Sequence, residues 1–159
     1  MTTIRRRTAA AALAVAAIGG TIVAITAAEA PASAGTTISF TQVGISDRTF
    51  NLGSGHGFAV GYVELVASKL MHGGTQLGHD GQSYTVTRLG GGSADELISA
   101  VEVLARGQID LAGLVTSTPS GPGTFQLAVT GGTGTYQDAR GYATVVPANT
   151  PTVTIHLIP

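Results

Sequence analysis

Residues 127–143 read Leu127-Ala-Val-Thr-Gly-Gly-Thr-Gly-Thr-Tyr-Gln-Asp-Ala-Arg-Gly-Tyr-Ala143. A strand-like run enters a glycine cluster, passes a short polar segment and leaves through Ala139-Arg140-Gly141. Glycine adopts backbone angles that residues with a Cβ resist. We therefore expect Gly131, Gly132 and Gly134 to shape a structural turn between two strands.

The same glycines could be mistaken for the phosphate-binding loop of a dinucleotide fold. That motif needs a third glycine and a following helix whose N-terminus faces the pyrophosphate. Counted from Gly132, the third glycine position holds Gln137, and no segment with helical apolar periodicity follows. The residues after Thr135 are also too few for a doubly wound sheet. The sequence therefore argues against NAD(P) binding, and we expect no cofactor.

Outward from this stretch, the chain consists of short apolar segments separated by glycine-, proline- and asparagine-rich turns. Short strands at regular spacing are typical of an all-β sandwich or barrel, and barrel closure removes unpaired sheet edges. The eight predicted strands are 37–45, 58–69, 83–89, 98–105, 109–117, 124–130, 140–147 and 152–158.

One segment, residues 94–104, fits two interpretations. Leu97, Val101 and Leu104 would share one helical face, and two acidic residues would occupy the first turn of a helix. The segment also leads through Arg106-Gly107 into the strand from 109, as one arm of a hairpin would. We favour a strand from about Ile98.

The stretch 127–143 resembles the GGTG-aromatic-x-x-ARG signature of the dirigent and allene oxide cyclase-like barrels. Residues 104–109 and 153–157 resemble other strands of these barrels more weakly. With them, the resemblance extends over most of residues 35–159. The resemblance implies an eight-stranded antiparallel β-barrel, commonly trimeric, with a cavity for small hydrophobic molecules. Plant members either cyclise a fatty-acid epoxide or steer the coupling of phenolic radicals.

We expect the residues of this signature to have structural rather than catalytic roles. We expect Tyr136 to pack over one end of the barrel, and Arg140, just before Gly141, to pair with an acidic group or with turn carbonyls. Two departures weaken any transfer of catalysis: Thr135 stands where plant dirigents often have an acidic residue, and Gln137 where they commonly have arginine. The carboxylate and polar groups that hold a water in allene oxide cyclase cannot be aligned with this chain.

The N-terminus has the features of a secretory signal. Arg5–Arg7 are followed by an apolar run from 8 to 28, and Ala32-Ser33-Ala34 is a small-x-small cleavage site. We expect residues 1–34 to be removed after Ala34 and residues 35–159 to form one secreted barrel domain. An uncleaved membrane anchor is the alternative, although alanine and glycine make this run a poor lipid-spanning helix.

Composition excludes several classes of protein. Residues 35–159 keep five of the eight basic and eight of the nine acidic residues, which leaves a net charge of −3. Such a chain lacks the basic footprint of a nucleic-acid-binding protein, and we expect no stable membrane association after processing. Without cysteine, stability must come from packing, barrel closure or self-association.

The second predicted strand is apolar on both faces, with Phe58, Val60 and Tyr62 on one side and Val63 and Leu65 on the other. The outer face of a monomeric barrel should be polar because water bathes it. This pattern predicts that another subunit covers the exterior, or that a tail or loop folds over it. The family resemblance favours a homotrimer.

Four side chains are candidates for the cavity wall. Glu64 lies mid-strand among apolar residues, where an isolated charge is costly, so a raised pKa could make it a general acid or base. Tyr62, Tyr84 and Arg88 share strand parity with apolar neighbours, and we expect them to orient a ligand. An exposed Glu64, or one paired with Arg88, is the alternative.

Metal binding is not indicated. His56, His72, His79 and Asp80 lie in glycine-rich surroundings typical of exposed loops, and no tight histidine spacing occurs.

Three functions remain open: a secreted module that binds a small hydrophobic or phenolic ligand, a cofactor-free cyclase or isomerase that uses the same cavity, or a structural envelope protein. A barrel plugged by Phe40, Phe58 and Tyr84 would favour the third.

Overall fold

The computed structural model describes residues 35–53 and 58–159, and the predicted signal segment lies outside them. Eight strands and one 3-10 turn, Gly134–Tyr136, make up the fold. The strands are β1 Thr36–Asn51, β2 Tyr62–His72, β3 Thr75–Gly90, β4 Ser93–Leu104, β5 Gly107–Ser117, β6 Phe125–Gly132, β7 Gly141–Val146 and β8 Thr152–Leu157.

Each strand pairs antiparallel with the next, and β1 closes the sheet by pairing with β8. The predicted all-β, eight-stranded antiparallel barrel is therefore confirmed. The helical alternative for residues 94–104 is wrong. Ala94, Ile98 and Ala100 alternate with more exposed neighbours along β4 and are buried in the barrel interior, because a strand sends successive side chains to opposite faces.

The signature glycines close one end of the barrel. A Cβ on Gly132 would lie 2.3 Å from the carbonyl oxygen of Gln108, and Gly134 has a φ of +60°. Tyr136 is half-buried against the core, and Arg140 Nε donates to the carbonyl oxygen of Pro159 at 2.5 Å. This end, called the closed end below, is therefore covered by the motif that identified the fold.

The interior is filled by apolar side chains from all eight strands. Phe40, Leu70, Ile109 and Ile155 are among the largest fully buried residues. Because the chain has no cysteine and forms no disulfide, the hydrophobic effect and dispersion attraction in this packed interior stabilise the fold.

The opposite end, called the mouth below, is built from the longer strands. The second half of β1 is exposed, and the β3–β4 hairpin also reaches this end. Among the described residues, no helix is long and apolar enough to cross a membrane.

Candidate functional site

A buried carboxylate organises the centre of the barrel. Asp80 Oδ1 accepts a hydrogen bond from the backbone N–H of Ser68 at 2.7 Å. Its Oδ2 accepts from Gln42 Nε2 and Gln82 Nε2, each at 2.7 Å. Burial raises the pKa of Asp80 above its ordinary value, and the hydrogen bonds from these three residues offset only part of that rise. Because the donors all favour the charged form, they fix the carboxylate in one orientation.

Glu102 lies directly opposite Asp80 in the β3–β4 ladder and is 1% exposed. Its Oε2 has no hydrogen-bond partner. Burial, and then the charge of Asp80, raise the pKa of Glu102 to about 8. Glu102 is therefore predominantly a neutral carboxylic acid at pH 7, which removes most of the cost of burying it.

The void beside these carboxyl groups is small. A cavity of about 10 Å³ is lined by Gln82, Tyr84, Glu102 and surrounding apolar residues. That volume holds one water molecule, so the centre of the barrel has no room for an organic ligand.

A larger depression opens at the mouth. It has a volume of about 470 Å³ and mostly apolar walls. We call it the mouth pocket; its residues are Phe58, Leu89, Gly90, Gly92, Ser93, Ala94, Ser117, Thr118 and Pro119. The volume lies in the range of small-molecule sites.

Three carboxyl groups lie on the inner face of the mouth strands. Asp47 and Glu64 face the same side of the β1–β2 ladder and share a side-chain hydrogen bond. Glu96 is the next residue on the same side of β4 as Ala94, about 7 Å along the strand. Partial burial, then the charges of Asp47 and Glu96, raise the pKa of Glu64.

Tyr84 connects the mouth with the centre. It pairs with Glu64 across the β2–β3 ladder, and its hydroxyl donates to Gln82 Oε1. Burial and four carboxyl groups, among them Glu64, Glu96 and Glu102, raise its pKa well above the ordinary value of 10. Tyr62 lies at the start of β2, half-buried, with its ring tilted against Phe58 at a centroid distance of 5.4 Å.

The structure does not place Arg88 in the cavity. Its side chain is 58% exposed and forms an ion pair with Asp95, with Nε 2.5 Å from Oδ2. The β3–β4 register shifts between Val86 and Arg88. One extra residue at such a bulge reverses which face the following side chains occupy, so the expected inward orientation is wrong. Glu64 consequently lacks the ion pair with Arg88 that was the alternative.

His72, His79 and Asp80 also lie elsewhere than expected, and His56 lies outside the described residues. His72, His79 and Asp80 belong to β2 and β3 rather than to exposed loops, and Asp80 is buried. His72 Nδ1 lies 2.9 Å from the carbonyl oxygen of Ser39. In the described part of the chain, no group of three or more histidine, aspartate or glutamate residues could hold a metal ion.

Sequence reasoning missed Glu102 and the role of Asp80. In a strand, Glu102 shares parity with Ile98 and Ala100, which marks it as inward-facing. The partners of Asp80 come from β1, β2 and β3, so only tertiary structure could bring them together.

Solved structures share this barrel. A pyocyanin demethylase is 23% identical with a TM-score of 0.67, and the match covers 77% of this chain and 99% of that chain. A pterocarpan synthase dirigent protein is 14% identical with a TM-score of 0.59, covering 77% and 82%. An exo-specific intermolecular Diels-Alderase is 14% identical with a TM-score of 0.60, covering 79% and 98%.

These likenesses confirm the resemblance to dirigent and allene oxide cyclase-like barrels at the level of the fold. No protein-family model and no curated protein matches the chain. At these identities, the fold carries no activity with it.

Proposed function

We propose that this protein binds a small hydrophobic or phenolic ligand in the mouth pocket of its barrel. The observation that carries the proposal is the 470 Å³ pocket with its mostly apolar walls. An apolar wall supplies most of the affinity, while a few polar groups fix orientation. The serine and threonine hydroxyls of the pocket, and the carboxyl groups next to it, are such polar groups.

A purely structural barrel is less well supported. Phe40 is buried in the core, as a plug would be, and Tyr84 is half-buried. Phe58 is 54% exposed at the mouth, so the three aromatic residues do not fill the barrel together. The centre is closed, but the mouth is open to a ligand.

A cofactor-free cyclase or isomerase is the second candidate. Glu64 lies on the inner face of the mouth, where partial burial, and then the charges of Asp47 and Glu96, raise its pKa. Such a group can transfer a proton to or from a ligand held beside it. Glu102 lies four inward positions below Ala94, about 26 Å along β4, so it cannot touch a ligand in the mouth pocket. Glu64 is therefore the candidate acid or base.

Substitution of the pocket floor tests the binding proposal. In Ala94→Phe the added ring occupies the mouth pocket, and we expect at least a ten-fold loss of affinity for acridine, a neutral aromatic probe followed by fluorescence. Ala105→Phe places the same ring on the exposed β4–β5 turn at the closed end and should bind acridine like wild type. Equal binding by both variants would contradict a mouth site.

Measuring product formation distinguishes a ligand-binding protein from a cyclase or isomerase. If the barrel is an enzyme, Glu64→Gln should abolish product formation from a bound substrate while affinity changes little. Native mass spectrometry of protein purified from culture supernatant identifies the retained ligand on which this is tested.

We also propose that the protein is exported and processed. The basis is the basic segment, apolar run and cleavage site within residues 1–34. Intact mass of the secreted product should correspond to a chain that begins at Gly35. A product that still carries Arg5–Arg7 would contradict processing at Ala34.

A further inference from the structure

The interior cavity at the centre of the barrel, about 10 Å³ in volume, has both polar and apolar walls. Its polar side chains come from β1, β3 and β4, and they are Gln42, Gln82, Tyr84 and Glu102. Apolar side chains, mainly of β5 to β8, form the rest of the wall. Four polar groups therefore converge on one small space inside an apolar core.

Three of these polar side chains are held by hydrogen bonds to other side chains. The hydroxyl of Tyr84 donates to Gln82 Oε1. Gln82 Nε2 and Gln42 Nε2 in turn donate to Asp80 Oδ2. A chain of hydrogen bonds thus runs from Tyr84 through Gln82 to Asp80 and Gln42.

Glu102 stands outside this chain. The residue is 1% exposed, and its Oε2 has no hydrogen-bond partner on the protein. A neutral carboxyl group has an O–H donor and a carbonyl acceptor, and an unpaired polar atom is costly in an interior of low dielectric. Glu102 Oε2 therefore needs a partner that the chain itself does not supply.

The cavity beside Glu102 meets both conditions for an internal water molecule. Its volume is that of about one water probe, and a buried water needs two to four polar partners. Glu102 Oε2 is one such partner. The hydroxyl oxygen of Tyr84 is another, because its hydrogen is used on Gln82 while its lone pairs still accept.

We propose that the interior cavity is a binding site for one water molecule, which bridges Glu102 Oε2 and the hydroxyl oxygen of Tyr84. A bridging water is nearly as favourable as a direct hydrogen bond. This water joins Glu102 on β4 to the hydrogen-bonded side chains of β3 and β1, so the polar groups of the centre form one network. The site is separate from the mouth pocket and does not depend on the ligand proposed there.

A small cation matches the site less well than water does. Burial, and then the charge of Asp80, raise the pKa of Glu102 to about 8, so its carboxyl is predominantly neutral at pH 7. No group of three or more histidine, aspartate or glutamate residues suited to a metal ion occurs in the part of the chain that the structure describes. Water both donates and accepts, and it can therefore pair with either oxygen of a neutral carboxyl group.

A high-resolution crystal structure of the wild-type protein tests whether the site is occupied. We expect one peak of electron density in the cavity, about 2.5–3.0 Å from both Glu102 Oε2 and the Tyr84 hydroxyl. A cavity without density would overturn the proposal. A metal ion there, with more oxygen ligands at shorter distances, would overturn it as well.

Variants test which groups hold the water, and oxygen-17 magnetic relaxation dispersion counts the long-lived internal waters of each folded protein. Glu102→Met replaces the carboxyl with an apolar side chain of similar length, and Ala100→Val adds two methyl groups at the buried cavity wall. Each variant should hold one water fewer per chain than wild type. Glu102→Gln keeps a polar partner and should hold the wild-type number. Ala105→Val adds the same methyl groups on the exposed β4–β5 turn and should also match wild type.

Equal numbers of internal waters in wild type, Glu102→Met and Ala100→Val would overturn the proposal. Loss of a water in Glu102→Gln as well as in Glu102→Met would overturn the role of a polar partner at this position. If neither Glu102→Met nor Ala100→Val folds, the density in the wild-type crystal decides.

Discussion

Two carboxyl groups in the centre of the barrel have different environments. Asp80 accepts three hydrogen bonds, whereas Glu102 Oε2 accepts none. Burial, and then the charge of Asp80, raise the pKa of Glu102 to about 8, so Glu102 retains its proton near neutral pH.

The pH dependence of stability should report the proton on Glu102. The unfolded chain releases this proton near its ordinary pKa of 4.5, while the folded protein keeps it until about pH 8. Glu102 therefore lowers the free energy of unfolding progressively as pH rises from about 4.5 to about 8, by at most about 5 kcal/mol. Glu102→Gln removes this slope, so the variant should gain stability relative to wild type over that interval.

Urea unfolding at fixed protein concentration, from pH 5 to pH 8.5, measures this difference. Asp138→Asn is the control and should keep the wild-type slope, because that carboxyl is exposed. Parallel stability curves for wild type and Glu102→Gln would contradict a buried neutral carboxyl.

Two bulges change side-chain orientation at the scale of the strand. The β1–β2 register shifts between Gly44 and Ser46, and the β3–β4 register between Val86 and Arg88. Each shift occurs where the strands extend toward the mouth. As a result Arg88 lies outside, while Asp47 lies on the same face as Glu64.

The glycines of the GGTG turn allow a prediction at the scale of a single structural element. A Cβ on Gly132 would approach two carbonyl oxygens, of Gln108 at 2.3 Å and of Tyr136 at 2.5 Å. Gly132→Ala should therefore cost about 2–3 kcal/mol, because the backbone around it must shift. Gly44→Ala is the matched strand control, since nothing lies within 4 Å of its Cβ position; it should change stability by less than about 1 kcal/mol. Thermal or urea unfolding of both variants measures the contrast, and equal losses would contradict the steric explanation.

The exterior of the whole barrel carries an apolar band. One outward row of cross-strand neighbours runs across five strands: Phe50, Val63, Thr85, Leu97 and Leu114. Leu114 is 62% exposed and Leu97 is 50% exposed, so no described segment folds over them. Exposed apolar patches of this kind mark protein–protein contacts, which supports the predicted self-association; the trimer stays a prediction.

A charge placed in this band should prevent association. We expect wild type to scatter light as a trimer at micromolar concentration and Leu114→Lys to shift toward monomer. Ile158→Lys adds the same charge at another exposed apolar position, near the C-terminus, and should stay trimeric. A monomeric wild type would contradict self-association, and a trimeric Leu114→Lys would place the interface elsewhere.

The sequence by itself determined the fold class and the motif that closes the barrel. The relevant patterns are local: the alternation of apolar residues, the glycine-rich turns and the stretch 127–143. Such patterns specify strands and turns, and consecutive strands then pair with each other. It also marked Glu64 as an unusual charge within an apolar strand. These features need no knowledge of distant contacts.

Only the tertiary structure decided which carboxyl groups meet and which faces they occupy. The donors to Asp80 come from three strands, and Glu102 became its neighbour through the β3–β4 register. A single bulge sent Arg88 outside the barrel, since one extra residue inverts the two-residue period of a strand. The pattern of a segment specifies that it is a strand, but barrel closure and register decide what its side chains face.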